Sequence, residues 1–335
     1  MSVARPPTLS DVAALADVSH QTVSRVLNEH PRVRPETRQR VLDAIAALGY
    51  RRNSAARTLV TRRSGIIGVV TSGSALFGPT STLIAVEGAA RDAGMYVSVA
   101  TVPTWQAGTV STVLEHFMSH GVDGVVVIAA HDDAVEAVRV FDEPVPIVMV
   151  GPKDLPAPLL SVAVDQYAGA RMAVRHLVDL GHRDVLHLAG PTDWLDARAR
   201  IRGWRAELAA AGIQASRMVR GDWSADRGYE VGQELIRGDL PTAVFAANDQ
   251  LALGLLRAFA EAGVRVPDDV SVVGFDDVDG SANFYPPLTT IRQEFGPLGR
   301  RCMEQLLASI AGERVEPGLI EPSIVVRASS GPPRG

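Results

Sequence analysis

Cysteine is almost absent from this chain. Cys302 stands alone in a segment that reads as helix, so an intramolecular disulfide is excluded and a buried, inert thiol in a reducing compartment is expected. The N-terminus has no basic stretch followed by an apolar leader, and no apolar run approaches the roughly 18 residues a membrane span needs. A soluble, cytoplasmic protein with no membrane partner is the expectation. Signs of catalysis are missing as well: there is no glycine-rich phosphate loop and no nucleophile elbow. His176, His182 and His187 fall on a helix, a loop and a strand, which is no metal-ligand spacing. Asp276 and Asp277 leave a strand in succession and point to opposite sides, so they make a poor acid/base pair. No enzyme, no metal and no cofactor are expected.

What is present is a large hydrophobic fraction and an uneven charge. With 335 residues and 46% hydrophobic content the chain can bury sizeable cores, and the length suits two or three domains. Residues 1–63 hold 11 Arg against 5 Asp and Glu, or +6; the remaining residues hold 22 basic against 33 acidic, or −11. A basic head on an acidic body fits a terminal module that meets a polyanion.

Within the head, Ser10 to Asn28 reads as two short helices about a tight turn at Ala16-Asp17-Val18, with Ser19 capping a second helix from His20 to Leu27. Val12, Leu15, Val18, Val23, Val26 and Leu27 fall at helical spacing and are expected to share one small core, leaving His20, Gln21, Thr22, Ser24 and Arg25 outside. From a helix in the major groove, Gln21 can fork onto an adenine and Arg25 onto a guanine. Taken alone, the pattern fits an ordinary solvated helix pair as well. Thr8 suits the cap of the first helix. A third helix is expected from Pro35 through Val41, Ile45 and Leu48 to a stop at Gly49, with Tyr50 adding packing. Beyond it, residues 51–63 carry five Arg around Ala55 and Ala56; a helix this short forms only when held by DNA and a second copy, and Leu59 could then wedge into the minor groove. A plain charged linker accounts for the same residues.

From Ser64 onward short apolar runs alternate with amphipathic helices. Strands are expected at 66–71, 96–102, 124–128, 147–150 and 161–164, then at 185–189, 218–220, 243–246, 270–275 and 288–291. The helices between them fall near 81–93, 108–120 and 133–141, then 166–180, 197–211, 225–236 and 249–262. Two rounds of alternation predict two α/β lobes with parallel sheets and a cleft at the C-terminal strand ends. Ser72, the run from Asp193 to Arg200, Asn248, Asp249, Asp276 and Asp277 follow such ends. Carboxylate, amide and guanidinium groups beside an aromatic plate, Trp223, suit a sugar, whose hydroxyls they pair while the ring face is covered.

The head TLSDVAALADVSHQTVSRVLN, followed by RVRPETRQRVLDAIAALGYRRNSAARTL, closely resembles the LacI family of transcriptional regulators. The likeness runs on through GVVTSGSALFGPTS, LAGPTDWLDARARIRGW, GDWSADRGY, TAVFAANDQLALG, DDVSVVGFDDVDGSANFYPPLTTIRQEF and PLGR. It implies an all-α helix-turn-helix head joined by a hinge helix to a two-lobe, periplasmic-binding-protein-like α/β body. The implied boundaries are 1–52 for the head, 53–63 for hinge helix and linker, 64–164 with 294–320 for the N-terminal lobe, and 165–293 with 321–330 for the C-terminal lobe. By resemblance His20, Gln21 and Arg25 match base-reading positions, Leu59 the minor-groove leucine, and Ala56 the hinge helix. Thr8, Ser19, Thr22, Ser24, Asn28 and Asn53 complete the expected DNA-contacting set. Ser72, Leu76, Pro79, Arg200, Trp223, Asn248, Asp276, Gln293 and Phe295 match the effector pocket, with Arg200, Asn248 and Asp276 holding ring hydroxyls.

The chain departs from its galactoside-binding relatives at three places. They have a tyrosine where this chain has His20, so the operator should differ. They carry an asparagine and an aspartate facing the exocyclic hydroxymethyl of galactose, where this chain has Ile128 and Gly151; support for that hydroxyl is lost, and an arabinoside, a fucoside or a differently linked galactoside is expected. Residues 327–335, RASSGPPRG, show no leucine repeat of the kind that ties dimers into tetramers, so a homodimer is expected. The resemblance implies a repressor released from pseudo-palindromic double-stranded operator DNA by a sugar effector. A regulator whose ligand strengthens DNA binding, and a sugar carrier sharing the two-lobe body, are the alternatives the sequence leaves.

Overall fold

The computed structural model describes residues 5, 7–28, 30–50, 63–73, 75–141, 145–151, 159–214, 217–314 and 316–334. Asn53, Ala56 and Leu59, with the hinge helix expected around them, lie outside the described residues. Residues 1–64 and 65–335 form two compact units.

The first unit holds three helices: α1 (Leu9–Leu15), α2 (His20–Leu27) and α3 (Pro35–Leu48). Thr8 caps α1 in a capping box with Asp11, whose carboxylate accepts from the Thr8 backbone N–H and hydroxyl, both at 2.7 Å. Those bonds from Thr8 hold the Asp11 carboxyl below its ordinary value. The turn into α2 puts Asp17 at φ 50°, a left-handed conformation that Asp tolerates better than branched residues do, and Ser19 caps α2 through the Thr22 N–H at 3.2 Å. Gly49, at φ 61°, ends α3 and turns Tyr50 back onto a core of Val12, Ala13, Ala16, Val23, Val26, Val41 and Ala44. Val18 and Leu27 pack at its margin. Leu15 does not belong to this core, contrary to the sequence expectation, and is 55% exposed. Val12, Ala13 and Ala16 span the inward arc of α1, and at 100° per residue Leu15 falls past its edge.

The second unit is two stacked rounds of strand and helix. The N-terminal lobe contains β1 (Ile66–Ser72), α4 (Phe77–Asp92), β2 (Tyr96–Val102), α5 (Ala107–Ser119), β3 (Gly124–Ile128), α6 (Asp132–Arg139), β4 (Ile147–Val150) and β5 (Leu160–Val164). The C-terminal lobe contains α7 (Gln166–Asp179), β6 (Val185–Ala189), α8 (Leu195–Ala210), β7 (Met218–Arg220), α9 (Ala225–Arg237), β8 (Ala243–Ala246), α10 (Asp249–Glu261), β9 (Ser271–Asp276) and β10 (Thr289–Arg292). The chain then returns through α11 (Phe295–Ile310) and β11 (Gly318–Ile320) to the first sheet, and crosses again to β12 (Ser323–Val325). The sheets run β11-β5-β4-β3-β1-β2 and β12-β10-β9-β8-β6-β7. All pairings are parallel except β10 with β12.

Each sheet buries both faces, which is why its central strands GVVVI, VLHLA and AVFA are largely apolar throughout rather than alternating, with His187 the one polar side chain among them. In the first lobe α4 and α11 cover one face and α5 with α6 the other; in the second, α7 with α8 and α9 with α10 do the same. α4 starts at Phe77, four residues before the expected Ser81, because Pro79 sits in the first turn, where its missing N–H costs nothing. The chain passes between lobes at 164–165, 293–294 and 320–323. At the first of these the Asp165 N–H donates to the Ile320 carbonyl at 2.9 Å while its side chain caps α7. Among the described residues no helix is long and apolar enough to cross a membrane.

Candidate functional site

In the head, α2 turns Val23 and Val26 inward and leaves Ser19, His20, Gln21, Arg25 and Asn28 exposed, with Thr22 and Ser24 partly so. Gln21 and Arg25, one turn apart, share a face and make no side-chain hydrogen bond or ion pair among the described residues. Their donors face outward unspent. His20 is held: its Nε2 lies 2.7 Å from the Ser10 hydroxyl, which ties the start of the outer helix to α1. The Ser19 and Thr22 hydroxyls are 2.9 Å apart, and the Thr8 hydroxyl donates to Asp11, so these three position the helices as well as facing outward.

In the body, the C-terminal strand ends of both lobes line an open cleft of about 850 Å³, solvent at its mouth included. All nine of the residues expected there line it: Ser72, Leu76 and Pro79 from the first lobe, Arg200, Trp223, Asn248 and Asp276 from the second, and Gln293 and Phe295 at a crossing. The C-terminal lobe supplies a closed polar floor. Arg200 Nε donates to Gln166 Oε1 at 2.9 Å, Gln166 Nε2 to Gln293 Oε1 at 2.8 Å, Gln293 Nε2 to Asp276 Oδ1 at 2.7 Å, and that oxygen lies 3.7 Å from Arg200. Arg200 also donates to the Ala247 carbonyl and lies 3.8 Å above the Phe275 ring. All four ring members are buried, which the desolvation cost permits because each is paired. Burial pushes Asp276 up to about 6 against the pull of Arg200 and the Gln293 hydrogen bond.

Asn248 caps α10 through the Leu251 N–H at 2.9 Å and donates to the Trp223 carbonyl at 3.1 Å. It thereby fixes the loop carrying the indole. Trp223 sits at φ 74°, and Asp276 and Asp277 at 113° and 53°, so the floor stores backbone strain of order 1–3 kcal/mol per residue. The Trp223 ring fills the space a side chain at Gly190 would need, 2.2 Å from an ideal Cβ. Its indole N–H is buried with no acceptor among the described residues. Asp276 faces the cleft while Asp277 turns away to Arg292 and Arg327, both at 2.7 Å. They form no dyad.

The opposite wall is apolar: Ile128, Ala129, Val150, Gly151, Ala163 and Val164. At one side the lobes touch. The Leu195 N–H donates to the Ala130 carbonyl at 2.7 Å, Arg198 grips Asp132 with two bonds of 2.7 Å, and the His131 and Trp194 rings lie 4.4 Å apart. Burial lowers His131 despite the carboxylates near it.

Gln166, His131 and Trp105 line the cleft without having been singled out from the sequence, while Trp194 and Asp196 fall within the run from Asp193 to Arg200 expected there. Gln166 opens a helix immediately after a crossing, a position that chain order marks as facing the cleft, and Asp196 lies one turn before Arg200. Trp105 sits on a loop, where periodicity is silent. Asp249 is close but behind the floor: fully buried, it accepts from the Thr290 hydroxyl at 2.6 Å and the Val278 N–H at 2.9 Å, and burial beside Asp276 pushes it up to about 8. The three histidines serve structure. His176 meets Ser330, His182 meets Ser271 and the Gly331 carbonyl, and His187 meets the Phe245 carbonyl. No group of His, Cys, Asp and Glu among the described residues could hold a metal ion.

Residues 8–53 match the family described as bacterial regulatory proteins, lacI family, and residues 174–330 match that of the periplasmic binding protein-like domain. Over 325 residues the chain is 37% identical to the lactose operon repressor of Escherichia coli (strain K12), covering 96% of this chain and 90% of that protein. A lac repressor dimer bound to operator and the anti-inducer ONPF superposes with a TM-score of 0.88 at 36% identity, covering 98% of this chain and 100% of that one. A complex of the transcriptional regulator CelR with cellobiose gives 0.71 at 34% identity, covering 96% and 99%. The chain therefore belongs to the LacI family, as a DNA-binding, non-catalytic transcriptional regulator with a periplasmic-binding-protein-like effector domain.

Proposed function

We propose that this regulator is a homodimeric repressor that is released from a pseudo-palindromic operator by a neutral sugar bound between its lobes. The observation that carries the reading is the polar ring of Gln166, Arg200, Asp276 and Gln293. Two of its members, Gln166 and Gln293, flank crossings between the lobes, so a ligand that competes for the hydrogen bonds of Arg200 or Asp276 acts directly on the segments that set lobe orientation. Ring hydroxyls fall to Arg200, Asp276 and Asn248, the ring face to Trp223. The apolar wall at Ile128, Val150 and Gly151 supports a galacto-type ring whose C6 group is absent, altered or weakly read, as in an arabinoside, a fucoside or a differently linked galactoside.

On DNA, Gln21 and Arg25 read major-groove edges and the Arg-rich head supplies phosphate contacts, which makes affinity steeply salt dependent. Ile84 on α4 and Tyr96 and Val99 on the outer strand β2 are 66%, 77% and 48% exposed, an apolar face suited to a second copy. The lac repressor structure cited above is a dimer on its operator. Ligand that releases DNA must itself be weakened by DNA to the same factor.

The test is a gel shift on the preferred operator, with pentoses, hexoses and disaccharides added in turn. Release by an arabinoside or fucoside at least as strong as that by the matched galactoside is expected. Tightening by every active sugar would make it a corepressor-dependent protein instead, and indifference of a folded dimer to all of them would remove the sugar reading.

A further inference from the structure

Asp196 has no hydrogen-bond partner among the described residues, although it lines the cleft and the other acidic residue of its lining, Asp276, is held by the polar ring. It lies in the first turn of α8, four residues before Arg200. Four residues are about 6 Å of helix rise and return to nearly the same face, so Asp196 stands one turn outward from the floor, toward the contact of the lobes. A line of rings runs the same way: Arg200 lies 5.5 Å from the Trp223 ring, Trp223 lies 5.6 Å from Trp194, and Trp194 lies 4.4 Å from His131. Three of the four tryptophans of the chain, Trp105, Trp194 and Trp223, line this cleft.

We propose that Asp196 is a specificity-determining residue that accepts hydrogen bonds from hydroxyls of a second sugar unit laid along Trp194, so that the effector is a neutral saccharide of at least two units. This rests on the sugar-effector reading above and extends it. Partial burial raises the Asp196 carboxyl, with Arg200 and His131 opposing. A half-buried carboxylate raised by its surroundings and given no donor by the described residues is open to a donor on a ligand in the cleft. Among the described residues of the lining Arg200 is the one arginine or lysine, set against the carboxyls of Asp196 and Asp276, so phosphorylated and uronic sugars are disfavoured. Across from Asp196, Ala129, Ala130 and Gly151 are apolar and His131, 4.4 Å from Trp194, is the nearest polar side chain of that wall, so among the described residues Asp196 is the carboxylate available to choose among linkages.

Calorimetry on the full chain tests this with matched pairs: galactobiose with methyl galactoside, arabinobiose with methyl arabinoside, and cellobiose with methyl glucoside. The wild type should bind one disaccharide at least tenfold tighter than its monosaccharide partner. Asp196→Asn and Asp196→Ala should remove that advantage while changing monosaccharide affinity less than twofold. Asp196→Asn should also melt at or above the wild-type temperature at pH 7.5, because it removes a charge the cleft holds at a loss; a merely structural role would lower it. Equal losses for both members of a pair, or preference for an amino sugar that Asp196→Asn abolishes, would overturn the assignment while leaving the sugar reading intact. Failure of every saccharide to bind would overturn both.

Discussion

Strand for strand the two lobes of the body repeat one another, β11-β5-β4-β3-β1-β2 against β12-β10-β9-β8-β6-β7. Each strand end at the cleft thus has a counterpart across it. β3 ends at Ile128 where β8 leads into Asn248, and β4 ends at Val150 and Gly151 where β9 ends at Asp276. Topology brings both sets to the same place and dictates nothing about their polarity. What separates them is whether a buried polar group finds partners. The second lobe links Arg200, Gln166, Gln293 and Asp276 by three hydrogen bonds closed by the Arg200–Asp276 ion pair and can keep its charges dry; among the described residues the first has no such ring, and its wall at Ile128 and Val150 is aliphatic.

The strongest way to break this contrast is at the centre of the ring. Arg200→Ala leaves Gln166, Asp276 and the Ala247 carbonyl short of a donor and should cut sugar affinity by about 100-fold or more, roughly 3 kcal/mol. Operator affinity without sugar should stay unchanged; loss of DNA binding by a folded Arg200→Ala protein would show that the lobes do not divide the work as described. The next test uses two glycines that each follow a strand end at the cleft, one in each lobe. A methyl at Gly190 meets the Trp223 ring, so Gly190→Ala should cost about 1–3 kcal/mol in urea unfolding. At Gly151 its nearest neighbour is the Ala129 carbonyl at 3.4 Å, and Gly151→Ala should stay within about 0.5 kcal/mol.

Proton linkage should differ as well. Asp249, pushed up to about 8, keeps a proton in the folded body that the unfolded chain has already released. Its contribution to stability is therefore complete at low pH and lost as pH rises through about 8. Between pH 6.5 and 8.5 the body should lose about 2 kcal/mol, and Asp249→Asn should flatten that slope. His187, pushed down to about 4, acts only below its ordinary value of 6.5 and leaves this window clear. The smallest effect sharpens the contrast by reversing it: Gly151→Asn places an amide on the apolar wall and should raise the preference for a galactoside over its 6-deoxy counterpart by up to about tenfold, measured by calorimetry.

Much of this architecture is written in period and punctuation. Runs such as VVVI at β3 and VLHLA at β6 are buried on both faces and read as strands without ambiguity, and Ser19, Pro35 and Gly49 mark helix ends by their own backbone chemistry. Long-range pairing is written nowhere. β11 and β12 are three residues each and exist because a neighbouring strand is waiting for them. The nine cleft residues could be placed through family likeness, but the closure of Arg200, Gln166, Gln293 and Asp276 into one ring joins residues up to 127 positions apart. The left-handed backbone at Trp223 and Asp276 has no signature either, since neither is a glycine. Leu15 failed for a smaller reason, an arc of helix too narrow to cover it.

The direction of β1 has one more mechanical meaning. Its seven residues make a rod about 23 Å long that starts at the point where the chain enters the body and finishes at Ser72 in the cleft. Tilting that rod about its cleft end by about 10° carries the entry point sideways by about 4 Å, more than the length of a hydrogen bond. Under the reading proposed above, a ligand beside the crossings needs to win only a small angular change to shift the point where the chain enters the body.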